Sequence, residues 1–267
     1  MLICPNCGAR LMRIDNVMKC ENNHSFDIAS SGYCNLLVGS KAGEFRGDTK
    51  EMVMARRSFL DSGAYEPLRT AVCNTASFLS PSAVIDAGCG EGYYTRAVAE
   101  ALSNIKPVTI IGADISKTAT QYAAKRDKIT TYITASCFHL PVKSECADLV
   151  LSLFAPSASE EFSRVLKTDG CVLQVVPGED HLWELKEAVY DEAYKNREEK
   201  HTLDGFDLVN REKVTYKRFI DSPELIQALF SMTPYVHRTP KEGIMRLNAL
   251  KSIDVTFSFL LLTFKKH

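Results

Sequence analysis

Four residues near the amino terminus carry the pattern of a metal site. Cys4 and Cys7 form a C-x-x-C pair, and twelve residues later Cys20 and His24 form a C-x-x-x-H pair. In a chain with reduced thiols, two such knuckles supply the four ligands of one tetrahedral structural Zn2+. Gly8, directly after the second cysteine, lets the first knuckle turn tightly. All four positions are filled by protein, so no place is left for a catalytic water and the metal orders the chain. The first 30 residues hold too few apolar side chains to fold on burial alone, and metal–ligand bonds make up the difference. The competing readings are unligated thiols or a redox pair; a redox C-x-x-C normally follows a buried strand, and none precedes Cys4. The other cysteines (Cys34, Cys73, Cys89, Cys137, Cys146 and Cys171) lack ligand spacing and read as small buried hydrophobes.

A second chemical feature is Gly88-Cys89-Gly90-Glu91-Gly92. Glycines there let backbone approach a ligand, and amides at the start of the next helix can meet a carboxylate or phosphate. The spacing is G-x-G-x-G, not the G-x-G-x-x-G of dinucleotide enzymes, and Asp86 precedes the first glycine by two positions. That carboxylate is placed to face the ammonium of an amino-acid moiety, which a dinucleotide lacks. A second acid, Asp114, can accept from both hydroxyls of a ribose. A glycine turn without a ligand would not account for two acids at strand ends facing one crevice.

These residues need a scaffold, and the apolar pattern supplies one. Val84–Ala87 reads as a buried strand, Tyr93–Leu102 as a helix, and Val108–Asp114 as a strand. Ser116 reads as the N-cap of a helix through Arg126, followed by strands at Ile129–Thr134 and Ala147–Phe154. A helix over Ser159–Leu166, a turn at Lys167–Gly170 and a strand at Cys171–Val176 complete five alternations. Alternation of this kind predicts an α/β fold with a mostly parallel sheet covered on both faces, its ligand beyond the carboxyl ends of the strands. Further on, the expectations are a helix over Leu182–Tyr194, a strand at Val214–Ile220, a helix from Ser222 through Met232 and a last strand at Ile253–Phe264. One late strand is expected to be antiparallel.

Composition limits the classes. The chain has 267 residues, 32 Lys+Arg against 33 Asp+Glu for a net charge of −1, and 45% hydrophobic residues. It can bury a sizeable core, and neither disorder nor collagen fits. A neutral balance excludes a polycation that coats nucleic acid by bulk attraction. Nine cysteines, an odd count, and the lack of a signal-like start argue for a cytoplasmic protein. The apolar run Phe257–Phe264 is too short to span a bilayer.

The D-x-G-x-G-x-G run followed by Asp114 resembles the class I S-adenosylmethionine-dependent methyltransferases, over roughly residues 65–180. Within that family the third strand end contacts adenine. Here it reads Ala135-Ser136-Cys137-Phe138-His139-Leu140-Pro141, with Ser136 where an acid is common, so the adenine contact falls to the Ser136 hydroxyl and backbone. The fourth strand runs into Leu153-Phe154-Ala155-Pro156, without the N/D-P-P-Y/F of amino-group methyltransferases, which disfavours amino-group methylation.

Further segments narrow the resemblance: Phe26–Ala29, Gly32–Leu37, Gly47-Asp48, Glu51-Met52, Ala55–Arg57, Phe59-Leu60, Tyr65–Leu68, Asp86–Tyr94, Pro177-Gly178 and His181-Leu182. With the zinc ligands, the chain resembles the bacterial 23S rRNA (guanine-N1-)-methyltransferase family from Cys4 to about residue 240. That resemblance implies a Rossmann-like methyltransferase sheet plus a small zinc-ribbon-like domain. The expected division is 1–36 for zinc binding and RNA recognition, 37–75 as a helical linking segment and 76–267 for the methyltransferase. It also implies a 23S rRNA hairpin as substrate, S-adenosylmethionine and one structural zinc as cofactors, and a homodimer. Cys4, Cys7, Cys20 and His24 would hold zinc. Tyr65, Gly92, Tyr93 and His181 would contact S-adenosylmethionine, alongside Asp86, Gly88, Gly90, Asp114 and Ser136. Packing at helix starts is the bland alternative for Tyr65 and His181.

Guanine N1 carries a proton and needs a base, or surroundings that favour its loss. No residue stands out. Asp48, Glu51 and Glu91 are weak candidates, and solvated helix positions are the plainer reading for each. Phe154 and Pro156 are placed to hold a splayed base. Arg46, Arg56 and Arg57 are candidates for phosphate contacts, against an ordinary amphipathic face. A zinc-bearing methyltransferase of a small molecule and a non-catalytic RNA-binding module are the alternatives; the intact glycine loop argues against the second.

Overall fold

The computed structural model describes residues 1–38, 47–196 and 201–267. Arg46 lies outside them. The first strands, β1 (Met12–Ile14), β2 (Val17–Lys19) and β3 (Ser25–Asp27), form a small antiparallel sheet of three residues each, too small to fold by burial. β4 (Cys34–Asn35) then leaves this module and pairs in parallel with a strand of the main sheet.

Helices α1 (Lys50–Asp61) and α2 (Glu66–Leu79) follow. Thr49 caps α1 by accepting from the Met52 amide, and Pro67 sits in the first turn of α2, where its missing N–H costs nothing. The methyltransferase-like core is β5 (Ala83–Ala87), α3 (Tyr93–Ser103), β6 (Thr109–Asp114), α4 (Lys117–Arg126), β7 (Thr131–Thr134), β8 (Ala147–Leu153), α5 (Ser159–Val165) and β9 (Leu166–Pro177). It ends with α6 (Trp183–Val189), β10 (Phe206–Ile220), α7 (Pro223–Ser231), α8 (Lys241–Ala249) and β11 (Ile253–Lys266). The eight-stranded order is β10-β11-β9-β8-β5-β6-β7-β4, parallel from β4 to β9, with β11 reversed and antiparallel to both its neighbours, β9 and β10.

One apolar cluster fills each face of this sheet. The first joins Phe59, Leu60, Tyr65, Leu68 and Val72 of α1 and α2 to Leu149, Leu173, Phe257 and Phe259. The boundary expected at residue 76 therefore falls inside α2, a helix that packs on the main sheet. The second joins Leu2, Cys4, Leu11 and Cys20 to Ile133, Val142 and Phe162. The Ile3 amide also donates to the Pro141 carbonyl at 2.8 Å, so the amino-terminal module is packed directly on the methyltransferase body.

Several expected elements shift. The turn expected at 167–170 lies inside β9: Ala147 pairs Leu166 but Leu149 pairs Cys171, a bulge with Asp169 at φ 64° and Lys167 reaching Asp148 at 2.8 Å. The helix expected through Tyr194 stops at Val189. Lys186 Nζ donates to the Tyr194 carbonyl and Asn196 Oδ1 at 3.1 and 2.7 Å, and Asn196 donates to Gly178 O, drawing the chain back. β10 begins at Phe206, eight residues earlier than expected, and α8 was not anticipated. As expected, one late strand runs against the rest: β11 is antiparallel to both β9 and β10, and β10 therefore points the same way as β9. No helix of the described residues is long and apolar enough to cross a membrane.

Candidate functional site

Among the described residues one cluster could hold a metal: Cys4, Cys7, Cys20 and His24, whose ligand atoms all lie within 4.8 Å of one another. A tetrahedron of about 2.3 Å Zn–S and 2.0 Å Zn–N bonds has S···S edges of about 3.8 Å and S···N edges of about 3.5 Å. Cys7 Sγ stands 3.8 Å from Cys20 Sγ, while His24 Nδ1 stands 3.5 Å from Cys4 Sγ and 3.6 Å from Cys20 Sγ. The donor set fits zinc in both element preference and edge length. The Asn22 amide donates to Cys7 Sγ at 3.3 Å, an outer contact that supports a thiolate. The six other cysteines are free thiols; burial pushes Cys34 and Cys73 up to about 11, which keeps them unreactive.

The crevice forms where β5, β6 and β8 end. Gly88, Gly90 and Gly92 all have positive φ (96°, 54° and 84°). A Cβ on Gly88 would stand 2.5 Å from that of Ala155, so glycine is what lets the β8–α5 loop close in. A Cβ on Gly90 would meet nothing within 4 Å, which leaves open space beside its backbone. The Gly90 amide donates to Asp114 Oδ2 and the Ser116 amide to Oδ1, at 2.9 and 2.8 Å, so Asp114 is fixed and each oxygen retains a lone pair. Asp86 is buried at the end of β5; Thr95 donates to its Oδ2 at 2.6 Å, and Oδ1 has no partner. Burial pushes its carboxyl up to about 7, with the Thr95 hydrogen bond opposing and Asp114 adding to the shift.

One wall is aromatic. Phe154 follows the last residue of β8 at φ 57°, a left-handed conformation that a bulky side chain rarely adopts, and the residue is 44% exposed. Around it stand Phe259 at 5.7 Å, Tyr94 at 6.4 Å and Tyr65 at 6.5 Å. Buried His181 lies 4.5 Å from Phe259 and 6.5 Å from Tyr65, and its Nδ1 accepts the Ser258 amide hydrogen at 3.3 Å. An accepting Nδ1 puts the proton on Nε2, and burial, aided by nearby Lys186, drops the ring to about 3, so His181 is a neutral donor. Tyr93 opens α3 beneath the Arg69 guanidinium, 5.0 Å from its ring, with its buried hydroxyl unpartnered. The Ser136 hydroxyl accepts from the Phe138 amide at 3.3 Å.

Of the residues singled out from the sequence, the glycine loop and Asp114 are joined by the Gly90 amide, and Tyr65 stands 6.5 Å from both Phe154 and His181. The base candidates fare differently. Glu91 is buried and paired with Arg126 at 2.6 Å, Asp48 pairs with Arg56, and exposed Glu51 lies in the first turn of α1, where its own amide and Thr49 hold its carboxyl low. Arg57 lies 3.6 Å from Asp61 and over the Tyr122 ring at 5.4 Å. Pro156 is exposed beside Phe154. Thr95, Tyr94, Phe257 and Phe259 escaped the sequence reading; the alternating Phe257 and Phe259 of the last strand were the available signal. A cavity of about 320 Å³ lined by Leu79, Ser82, Asp148 and Asp169 lies at the opposite, amino-terminal end of the strands.

Comparison with known proteins agrees with this two-part layout. Residues 2–42 match the family model "RlmA, N-terminal", and residues 84–170 match "Methyltransferase domain". The chain is 32% identical to a Streptomyces fradiae 23S rRNA (guanine(748)-N(1))-methyltransferase over 267 residues, covering 96% of this chain and 94% of that protein. A Micromonospora griseorubida protein provisionally named a 23S rRNA (guanine-N(1)-)-methyltransferase is 34% identical over 69% of this chain and 68% of its own length. YxjB of Bacillus subtilis, provisionally named in the same way, is 28% identical over 96% of this chain and 94% of its own.

Proposed function

Because this chain belongs to the family of 23S rRNA (guanine-N1-)-methyltransferases, we propose that it transfers a methyl group from S-adenosylmethionine to N1 of a guanine in a hairpin loop of 23S rRNA. The observation that carries the cofactor half is the buried, unpartnered Oδ1 of Asp86 beside the open backbone of Gly90. A buried acceptor of that kind calls for a cationic donor, and the α-ammonium of S-adenosylmethionine is one. In this reading Asp114 accepts from the ribose hydroxyls and Ser136 meets the adenine. Tyr65, Tyr93 and the Nε2–H of His181 border the methionine end, with Gly88 and Gly92 shaping the loop.

The bound cofactor supplies an electrophilic methyl on a sulfonium. The protein's work is to align N1 in line with it and to exclude water. Phe154 offers its exposed ring, and Pro156 an adjoining face, to a guanine turned out of its stack, the usual way single-stranded RNA bases are held. The conformation of Phe154 is the strain expected of a side chain aimed by its surroundings. His181, fixed as a neutral Nε2–H donor, cannot act as base. Glu91 is buried against Arg126 and the exposed Glu51 carboxyl is held low, which leaves Asp48, partly exposed beside Arg56 at the Ser116 end of the crevice, as the candidate for drawing off the N1 proton.

Phosphate contacts fall in this reading to Arg56, Arg57 and Arg46, RNA recognition is shared with the zinc module, and two copies form the cleft that receives the hairpin. A substrate inside ribosomal RNA places the enzyme in the cytoplasm. The test is to offer labelled S-adenosylmethionine with unmodified 23S rRNA or with a nucleic-acid-free metabolite extract. Label in the RNA alone supports the proposal; label in a small molecule alone overturns it in favour of a zinc-bearing small-molecule methyltransferase.

A further inference from the structure

The glycine loop contains a buried acid that faces away from solvent. Glu91, between Gly90 and Gly92, has a side chain 1% exposed, and its Oε2 lies 2.6 Å from Nη2 of Arg126 at the end of α4. The same guanidinium, 10% exposed, grips both oxygens of Asp61 at the end of α1 with Nη1 and Nη2, at 2.8 and 3.1 Å. Arg57, one turn earlier on α1, stands 3.6 Å from Asp61. One guanidinium thus joins three segments: the loop after β5, the last residue of α4 and the last turn of α1.

We infer that Arg126 is the positioning residue of the cofactor loop, holding Glu91 on the protein side so that the backbone of Gly90 stays open to S-adenosylmethionine. The planar fork of Arg is suited to this, since it donates two hydrogen bonds to Asp61 while the same guanidinium stands in ion-pair contact with Glu91, a fixed geometry that a lysine cannot reproduce. A carboxylate buried as deeply as Glu91 cannot stay ionised in place without that partner; it must take a proton or leave, and leaving moves the loop. Desolvation already pushes Glu91 up to about 7, with Arg126 the main opposing influence. The two ends of the loop are held separately: the Gly90 amide donates to Asp114 at 2.9 Å, and the Gly92 amide to the Cys89 carbonyl at 3.0 Å. Between them Glu91 is the lever by which a displaced side chain would tilt the Gly90 backbone. The contacts of Arg126 are to Glu91 and Asp61, so in this inference it acts through Glu91.

This inference rests on the reading that the loop holds S-adenosylmethionine, and the experiment separates the two. S-adenosylmethionine is titrated calorimetrically into the full-length zinc-loaded wild type, R126M, E91Q and E91Q/R126M, and KM for cofactor and for rRNA is measured on each. R126M is expected to bind the cofactor at least tenfold more weakly and to raise its KM, with the KM for rRNA unchanged. E91Q/R126M is expected to bind no more weakly than E91Q alone, because a neutral amide no longer needs the cation. Losses that add in the double variant, or an R126M that binds as the wild type does, overturn the positioning role. A wild type that fails to bind S-adenosylmethionine overturns the proposed function instead. Should R126M not fold, R126K serves: it keeps a cation without the fork and is expected to lose at least threefold in cofactor affinity, and undiminished affinity overturns the inference.

Discussion

Thr95 donates its hydroxyl to Oδ2 of Asp86 at 2.6 Å, which leaves Oδ1 of the same buried carboxylate as the free acceptor of the crevice. The pair joins the end of β5 to the first turn of α3 across the glycine loop. It fixes the direction of the free oxygen, and it gives that oxygen a dependence on pH.

Asp86 ionises at about 7 in the folded protein against 3.8 ordinarily. The unfolded chain therefore releases this proton first, and Asp86 contributes a loss of stability to the cofactor-free protein as pH rises from about 4 to 7, with no further change from this group above, while buried His181, lowered to about 3, contributes in the opposite sense. Glu91, also raised to about 7, adds to the Asp86 slope. A cationic ligand needs the ionised form, so affinity for S-adenosylmethionine is expected to rise as pH climbs through 7. In D86N that rise should vanish and affinity at pH 8 should drop at least tenfold, about 1.4 kcal/mol. Calorimetry from pH 6 to 8 checks both, and a D86N titration with the wild-type slope would contradict the assignment.

Zinc is expected at one ion per chain, absent from C20S. Cys4 and Cys20 pack in the same cluster as Ile133 and Val142, so the loss should reach the methyltransferase body and not stay local. A chain of this size shifts Tm by about 2–4 °C per kcal/mol, and C20S or chelation should lower Tm by several degrees. Metal analysis with a thermal scan is the measurement; a metal-free C20S that melts as the wild type does would show the module to be energetically separate.

Replacing Arg56 and Arg57 together with Ala should weaken rRNA binding and flatten its dependence on salt by about one to two counterions, with cofactor binding retained. Both already have carboxylate partners, Asp48 and Asp61, so the effect should be smaller than for unpaired cations. Filter binding at several salt concentrations reads the slope, and an unchanged slope assigns both residues to the helix surface.

Local pattern carried much of this structure. Val84–Ala87 and Val108–Asp114 read as strands because buried parallel strands are continuous apolar runs, and the metal ligands and loop glycines announce themselves by spacing. The end of α6 was hidden, because Lys186 binds carbonyl and amide oxygens well beyond the helix, a partnership without a periodic signature. Most of β10 was hidden too: only Phe206 and Ile220 are fully buried along it, so its apolar alternation is weak. The same limit applied within the site. Glu91 looked like a free acid in a loop, since nothing local reveals that Arg126, distant in sequence, folds back onto it. Thr95 and Phe259 likewise acquire meaning only once β5, α3 and β11 converge.

The most direct test of the central claim is primer extension by reverse transcriptase on 23S rRNA treated with the enzyme and S-adenosylmethionine. Methylation at N1 blocks Watson–Crick pairing, so the account predicts a new stop one nucleotide before a single hairpin-loop guanine, absent without cofactor and with D114A. Methyl incorporation into that RNA without any such stop would contradict it.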